Sequence, residues 1–140
     1  MNKEEMIKKL YDSALVGYKN AYAPYSNFQV GAAVLLKDNN IIYGSNVENA
    51  SFGLCNCAER STLFAAYSKG YRKSDIVALL IVGKTKDVIS PCGACRQVMS
   101  ELMEKDAYVF LSNLDGKIRE YKNSDLLPYV FTGDNLNEWI

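Results

Sequence analysis

The chain has 140 residues, of which 49% are hydrophobic and 23% charged, enough for a single domain with a buried core. Sixteen basic residues balance sixteen acidic ones, which argues against a protein that binds nucleic acid through a broad basic surface. The N-terminus is charged, and no apolar run approaches the roughly 18 residues of a membrane span. We therefore expect a cytoplasmic protein without a membrane partner, whose thiols stay reduced.

The N-terminal part of the chain is predicted to form a helix followed by a β-hairpin. Apolar residues recur at spacings of three and four over residues 3–20, with Asn2 and Glu5 placed to form a capping box. Pro24 prevents the helix from continuing. A strand is predicted over residues 28–36, where alternate side chains share one face, and a second strand over residues 41–45.

The remaining elements alternate between helix and strand. A helix begins at Ala58, and Gly70 is its predicted C-terminal cap. The apolar segment 76–82 is typical of a central strand that is covered on both faces. A helix after Pro91, strands over residues 107–111 and 117–121, and a short turn from Ser124 complete the order α-β-β-α-β-α-β-β-α. This order predicts an α/β fold with helices on both faces of a mixed five-stranded sheet, in one domain spanning residues 1–140.

Three cysteines and one glutamate indicate a metal site. The sequence Pro91-Cys92-Gly93-Ala94-Cys95 lies at the start of a helix, where two thiolates can converge on one metal. Cys57 is the predicted third ligand, and Glu59 follows it by two residues. The chain contains no histidine, which excludes a mixed Cys/His site. Zinc held by three thiolates keeps a fourth position for water, and a neighbouring carboxylate equips such a site for hydrolysis.

Two other functions are compatible with the same cysteines. Cys55 could join the three thiolates in a closed structural zinc site, although Cys55 and Cys57 are closer in sequence than the usual ligand pair. Cys92 and Cys95 alone could also form a redox dithiol at a helix N-terminus. A zinc-stabilised binding module and a dithiol oxidoreductase therefore remain as alternatives to a hydrolase, which the nearby Glu59 favours.

The segments Cys57-Ala58-Glu59 and Pro91-Cys92-Gly93-Ala94-Cys95 resemble the zinc deaminase pattern H-x-E…P-C-x-x-C, in which cysteine can replace histidine. The chain resembles cytidine deaminases of the short, three-cysteine, homotetrameric kind, with their three-layer α/β/α fold. The resemblance implies zinc-dependent hydrolysis of cytidine and deoxycytidine to uridine and deoxyuridine, with release of ammonia, in pyrimidine salvage. It further implies one Zn²⁺ per subunit on Cys57, Cys92 and Cys95, a small nucleoside substrate rather than a nucleic acid, and a homotetramer whose active sites are shared between subunits.

The resemblance also implies roles for individual residues. Glu59 is the catalytic residue, which moves the proton of a zinc-activated water to N3 of cytosine and a second proton to the departing amino group. Asn46 and Glu48 hold the ribose 3′-hydroxyl, and Phe28 packs on the pyrimidine. A nucleoside antibiotic is an alternative substrate that this ribose-binding loop disfavours.

Further contacts follow from the same resemblance. The Ala58 backbone N–H and the Ser90 carbonyl contact the base, and Phe131 reaches the active site of a neighbouring subunit. Phe52 occupies a substrate-binding position that is often tyrosine, and Arg60 neutralises the ligand thiolates.

Two other residues lie close in sequence to the predicted metal ligands. Arg96 also follows a ligand cysteine and is a second candidate for neutralising the thiolates. Cys55 is expected to be a buried or free thiol without a catalytic role.

Overall fold

The computed structural model describes residues 1–137 and contains the predicted order of helices and strands. The elements are α1 (Lys3–Lys19), β1 (Val30–Leu36), β2 (Ile41–Ser45), α2 (Ala58–Ser68), β3 (Ile76–Gly83), α3 (Gly93–Leu102), β4 (Tyr108–Asn113), β5 (Ile118–Lys122) and α4 (Gly133–Asn137). Short 3₁₀ turns cover Phe52–Leu54, Lys73–Asp75 and Asn123–Leu126. The Asn2 side chain caps α1 by accepting a hydrogen bond from the Glu5 backbone N–H.

Several predicted boundaries shift by one or two residues; for example, β4 covers Tyr108–Asn113 rather than 107–111, and β5 covers Ile118–Lys122 rather than 117–121. Strand β1 begins at Val30 rather than at Phe28, because the Phe28 carbonyl bonds the Asn46 side chain instead of continuing the strand pairing. Asn27, just before Phe28, adopts a left-handed conformation with φ of 57°. The C-terminal turn predicted from Ser124 is a 3₁₀ turn at Asn123–Leu126, and the last helix, α4, begins later in the chain.

The five strands form one mixed sheet, as predicted, and their order in it is β2-β1-β3-β4-β5. Strands β3 and β4 run parallel, whereas the other neighbours are antiparallel. The central strand β3 is buried along almost its whole length. Parallel pairing requires a crossover, and the segment from β3 through α3 to β4 provides it.

The two faces of the sheet are covered by different helices. Val30, Ala32, Val34 and Leu36 of β1 belong to a core shared with α2 and α3. Ala33 and Leu35 of the same strand face the core formed with α1. The predicted three-layer arrangement of helix, sheet and helix is therefore confirmed.

Close packing of α1 on the sheet depends on Gly31. A Cβ atom at this position would overlap the Ala14 carbonyl oxygen and the Tyr18 backbone nitrogen of α1. A glycine at this position therefore lets the helix backbone approach the strand.

Among residues 1–137, no helix combines the length and the apolar character that crossing a bilayer requires.

Candidate active site

The three predicted metal ligands lie together where α2 and α3 begin. Cys57 and Cys92 are the N-cap residues of these helices, and Cys95 is buried in the first turn of α3. Their Sγ atoms all lie within 4.8 Å of one another. Within residues 1–137 this is the only such cluster of metal-ligating side chains.

The geometry of the cluster fits zinc. A tetrahedral zinc with Zn–S bonds of about 2.3 Å places its sulfur ligands about 3.8 Å apart. The Sγ atoms of Cys57 and Cys92 are 3.9 Å apart. The sulfur atoms therefore hold a spacing close to that of a metal-bound set.

Hydrogen bonds and helix ends favour thiolate in the cluster. The Cys95 thiol and then the Arg60 guanidinium lower the pKa of Cys57 to about 5, against the effect of its partial burial. The Cys95 thiol retains the shared proton, so its pKa is raised. Both N-cap cysteines also face the positive end of a helix dipole. One of the three sulfurs is thus prepared to bind a cation before a metal enters.

Cys55 lies outside this cluster. Its Sγ accepts a hydrogen bond from the Asn49 backbone N–H at 3.3 Å and lies 3.5 Å from the Asn49 carbonyl oxygen. The Cys55 thiol is therefore hydrogen-bonded to the backbone of the loop that precedes it. This arrangement argues against the closed site of four thiolates.

Glu59 is buried beside the thiolates. Its side chain is only 4% exposed, although it belongs to the first turn of α2. Burial raises the pKa of the Glu59 carboxyl group, and the neighbouring Cys57 thiolate raises it further. A raised pKa makes the Glu59 carboxylate a stronger proton acceptor than an exposed carboxylate, which suits it to acid–base catalysis.

Cys57, Cys92 and Glu59 line one cavity of about 230 Å³. This volume lies below the roughly 300–1,000 Å³ that is common for drug-sized ligands, so the cavity suits a small molecule. Five of the predicted substrate-binding residues line it: Phe28, Asn46, Glu48, Ala58 and Ser90. The structure thus brings most of the predicted site together.

Asn46 and Glu48 also organise the wall of the cavity. The Asn46 side chain accepts a hydrogen bond from the Val30 N–H at 2.8 Å and donates one to the Phe28 carbonyl at 2.8 Å. Glu48 accepts hydrogen bonds from the backbone N–H groups of Tyr25 and Ser26 and from the Ser26 hydroxyl. The Ser26 hydroxyl is the main reason why the pKa of Glu48 is lowered.

Two predicted residues do not line the cavity of their own chain. Phe52 is 76% exposed and Phe131 is 57% exposed. Gln97 Nε2 donates a hydrogen bond to the Phe131 carbonyl at 2.8 Å, which fixes the backbone there and leaves the ring at the surface. The predicted role of Phe131 therefore requires a second chain.

Sequence reasoning missed three residues that line the cavity: Ser26, Val30 and Ile89. Ser26 had a recognisable signal, because a hydroxyl in a Pro24-containing turn is suited to bond a nearby carboxylate. Ile89 lies in the loop after β3, where its backbone N–H bonds the Ser112 carbonyl of β4 at 3.0 Å. That contact depends on the fold and has no local signature.

The structure corrects the prediction for Arg96. Arg60 Nη2 donates a hydrogen bond to Cys57 Sγ at 3.3 Å, as expected for a residue that neutralises thiolates. The three hydrogen-bonding nitrogens of Arg96 instead bond oxygen atoms of Ser90, Pro91 and Leu126. Arg96 therefore bonds loop oxygen atoms and does not have the predicted role of neutralising the thiolates.

Comparisons with known proteins agree with this site. A family model described as the cytidine and deoxycytidylate deaminase zinc-binding region matches residues 4–111. A cytidine deaminase from Halalkalibacterium halodurans is 51% identical over 138 residues, which cover 99% of this chain and 100% of the relative. A second, from Sporosarcina psychrophila, is 42% identical over 131 residues, covering 94% and 95% of the two chains.

Solved structures give the same assignment. The crystal structure of a cytidine deaminase from Burkholderia pseudomallei superposes with a TM-score of 0.88 at 48% identity, covering 94% of this chain and all of the other. One from Mycobacterium tuberculosis gives 0.77 at 36% identity, covering 90% and 97%. The fold and the site thus define a hydrolytic deaminase with a zinc-binding region. The chain belongs to the cytidine deaminase family.

Proposed function

We propose that this protein is a zinc-dependent enzyme that hydrolyses cytidine and deoxycytidine to uridine and deoxyuridine, with release of ammonia, in pyrimidine salvage. One observation carries the proposal: Cys57 and Cys92 of the three-cysteine cluster line the same small cavity as the buried Glu59. Family membership supports it, because the relatives are cytidine deaminases.

The cysteine cluster would hold one Zn²⁺ per chain through Cys57, Cys92 and Cys95. Bound zinc lowers the pKa of a water ligand from 15.7 to about 7, which supplies a nucleophile for C4 of the base at neutral pH. Arg60 offsets the negative charge of three thiolates by its hydrogen bond to Cys57. Without that compensation, three thiolates would leave the site with a net negative charge and weaken the metal as a Lewis acid.

Glu59 performs the proton transfers. Its burial and raised pKa let it take a proton from the attacking water and hold it inside the cavity. It then delivers this proton to N3 of the cytosine ring and transfers the second proton of the same water to the amino group. The amino group leaves as ammonia while the water oxygen becomes the carbonyl oxygen on C4. One carboxylate can serve both transfers because it lies beside the cysteine cluster and also lines the cavity that would hold the ring.

The cavity walls would orient the nucleoside. The Ala58 N–H belongs to the first turn of α2, where backbone donors have no partner within the helix, and is proposed to bond the base together with the Ser90 carbonyl. Phe28 would pack on the pyrimidine, and Asn46 and Glu48 would hold the ribose. The carboxylate of Glu48 can take this role alongside its bonds to the Ser26 turn, because its two oxygens offer about four acceptor positions.

The proposal includes the assembly and the setting of the enzyme. We assign residues 1–140 to one domain and propose a homotetramer in which Phe131 closes the site of an adjacent subunit. The support is that this aromatic side chain is exposed and does not line its own cavity. A cytoplasmic location is supported by four cysteines that form no disulfide.

Cytidine turnover by the purified protein tests the function. We expect uridine and ammonia in equal amounts, loss of activity after zinc removal by a chelator, and recovery on addition of Zn²⁺. The Glu59→Gln variant is the matched control, because it should bind zinc and remain folded while it loses turnover. A zinc-loaded, folded protein that forms neither uridine from cytidine nor deoxyuridine from deoxycytidine would overturn the proposal.

A further inference from the structure

Arg96 joins three parts of the chain that meet at the N-terminus of α3. Its Nε donates a hydrogen bond to the Pro91 carbonyl at 2.9 Å, and its Nη1 donates to the Leu126 carbonyl at 2.8 Å. Its Nη2 donates to the Ser90 hydroxyl at 2.5 Å. One planar guanidinium thus bonds two segments that are separated by the whole of α3, β4 and β5.

The first of these segments belongs to the active site. Ser90 lines the cavity, and Pro91 precedes the ligand Cys92. Ser90 itself is exposed and has no regular secondary structure to fix its backbone. The bonds from Arg96 to the Ser90 hydroxyl and to the next carbonyl therefore restrain the position of the Ser90 carbonyl.

The second segment leads to the C-terminus. Leu126 ends the last 3₁₀ turn, and Gln97, the neighbour of Arg96, bonds the Phe131 carbonyl at 2.8 Å. Two consecutive residues of α3 therefore hold residues 126–131 against the helix that carries two metal ligands. A displacement of this segment would act directly on the guanidinium that restrains Ser90.

The chemistry of these contacts requires arginine. All three acceptors are neutral oxygens, and Arg96 forms no ion pair with a carboxylate of residues 1–137. Charge-assisted hydrogen bonds of this kind are stronger than neutral ones. A lysine ammonium keeps the charge but cannot present three donors along one rigid plane.

We propose that Arg96 is a positioning residue for substrate binding, which fixes Ser90 at the cavity and couples it to the C-terminal segment 126–131. The inference rests on the proposed function, since the affected step is the contact between the Ser90 carbonyl and the pyrimidine. The Arg96 side chain bonds oxygen atoms of Pro91, Leu126 and Ser90 rather than the cysteine sulfurs or Glu59. Its loss therefore affects substrate binding more than zinc content or turnover.

Kinetics of Arg96→Lys and Arg96→Gln test the assignment in the zinc-loaded protein. Because hydrogen bonds to charged groups are among the strong ones, we expect the KM for cytidine to rise roughly tenfold or more. The zinc content should be unchanged, and kcat should change much less than KM. Arg72→Lys is the matched control, because Arg72 also donates to two backbone carbonyls, those of Tyr67 and Tyr71, but lies outside the cavity. Its KM should equal that of the parent.

Two further measurements keep the inference testable if an Arg96 variant folds poorly. Ser90→Ala leaves Arg96 in place and removes only its hydroxyl acceptor, so by itself it should raise the KM for cytidine without changing the zinc content. Where Arg96→Gln folds, the double variant should raise KM by less than the product of the two separate factors, because both changes break one contact. Hydrogen exchange should accelerate together in residues 84–91 and 123–131 of the Arg96 variants and remain slow in Arg72→Lys.

The outcomes separate this inference from the proposed function. A parent protein that deaminates cytidine while Arg96→Lys keeps its KM would overturn the positioning role alone. A parent without deaminase activity would overturn the proposed function, and the exchange experiment would still decide whether Arg96 couples the two segments. Loss of zinc from both Arg96 variants would assign the residue to the metal site instead.

Discussion

Arg60 donates a hydrogen bond to Cys57 at the N-terminus of α2, with Arg60 Nη2 lying 3.3 Å from Cys57 Sγ. The pair places a guanidinium against the thiolate cluster from inside the same helix. Since Cys57 is also the N-cap of that helix, its sulfur receives positive potential from two sources. The relationship explains why the pKa of Cys57 is lowered although its thiol lies among two other cysteines.

Removing this guanidinium should weaken metal binding. We expect Arg60→Gln to lower zinc affinity by about 10–100-fold, as is typical when a group that supports a ligand is lost. Competition with a chromophoric chelator measures the change. Arg96→Gln serves as the comparison, because its donors bond oxygen atoms rather than sulfur, and it should retain the parent affinity. Equal losses in the two variants would contradict the separate roles given to these arginines.

The identity of the ligands can be tested by single replacements of cysteine. Cys95→Ser should lose both zinc and activity, because it removes one of the three clustered sulfur atoms. Cys55→Ser should keep both, because the Cys55 thiol contacts only the Asn49 backbone. Zinc analysis of the purified variants checks this pair of predictions. Loss of the metal from Cys55→Ser would instead support a site of four thiolates.

The proton-transfer role of Glu59 predicts a large effect on turnover. Glu59→Gln is nearly isosteric and should fold and bind zinc, but its amide cannot accept the proton. General acid–base catalysis contributes about 10²–10⁴-fold, so we expect kcat to fall by at least that range. Steady-state assays of the zinc-loaded variant measure the loss. More than a tenth of the parent kcat would remove Glu59 from the mechanism.

The predicted ribose contact can be separated from the structural role of Glu48. Glu48→Ala should raise the KM for cytidine much more than that for free cytosine, because only the nucleoside has a sugar. Ser26→Ala is the matched control, since it removes a hydroxyl that bonds Glu48 but leaves the carboxylate in place. Kinetics with both substrates give the result. Equal changes in KM for nucleoside and base in Glu48→Ala would mean that the residue only supports the turn.

Much of this structure could be predicted because its determinants are local. The apolar residues of β3 and the spacing of apolar residues in α1 each reflect one element and its burial. The predicted metal ligands could also be found from the sequence, because Cys92 and Cys95 are close together in it and Cys57 begins a helix. Each of these features can be recognised from the sequence of a single helix or strand and its cap.

The contacts that the sequence did not predict connect distant segments. Arg96 was assigned to the thiolates from its position after Cys95, yet it bonds the Leu126 carbonyl, 30 residues away. Phe28 was expected within a strand, but it follows the left-handed Asn27 and is held in the cavity wall through Asn46. Such partners are chosen by the packed fold, and no local pattern indicates them.

The exposed Phe131 gives the last prediction, which concerns assembly. A ring that is 57% exposed and held by its backbone to Gln97 is placed to contact another molecule. Stacking of an aromatic ring on a base contributes roughly 1–3 kcal/mol. If Phe131 closes the site of an adjacent subunit, Phe131→Ala should therefore weaken substrate binding by about ten- to a hundredfold.

Mixed assemblies distinguish a shared site from simple packing of the tail. Light scattering should show a tetramer for the parent protein. Co-assembly of Phe131→Ala subunits with inactive Glu59→Gln subunits should restore activity, because some sites then combine an intact Glu59 with an intact Phe131 from the neighbour. Mixing Phe131→Ala with Cys95→Ser should restore activity in the same way, provided that the second variant assembles. A fully active monomer at assay concentrations would contradict the shared site, while the chemistry of the cysteine cluster and Glu59 would be unaffected.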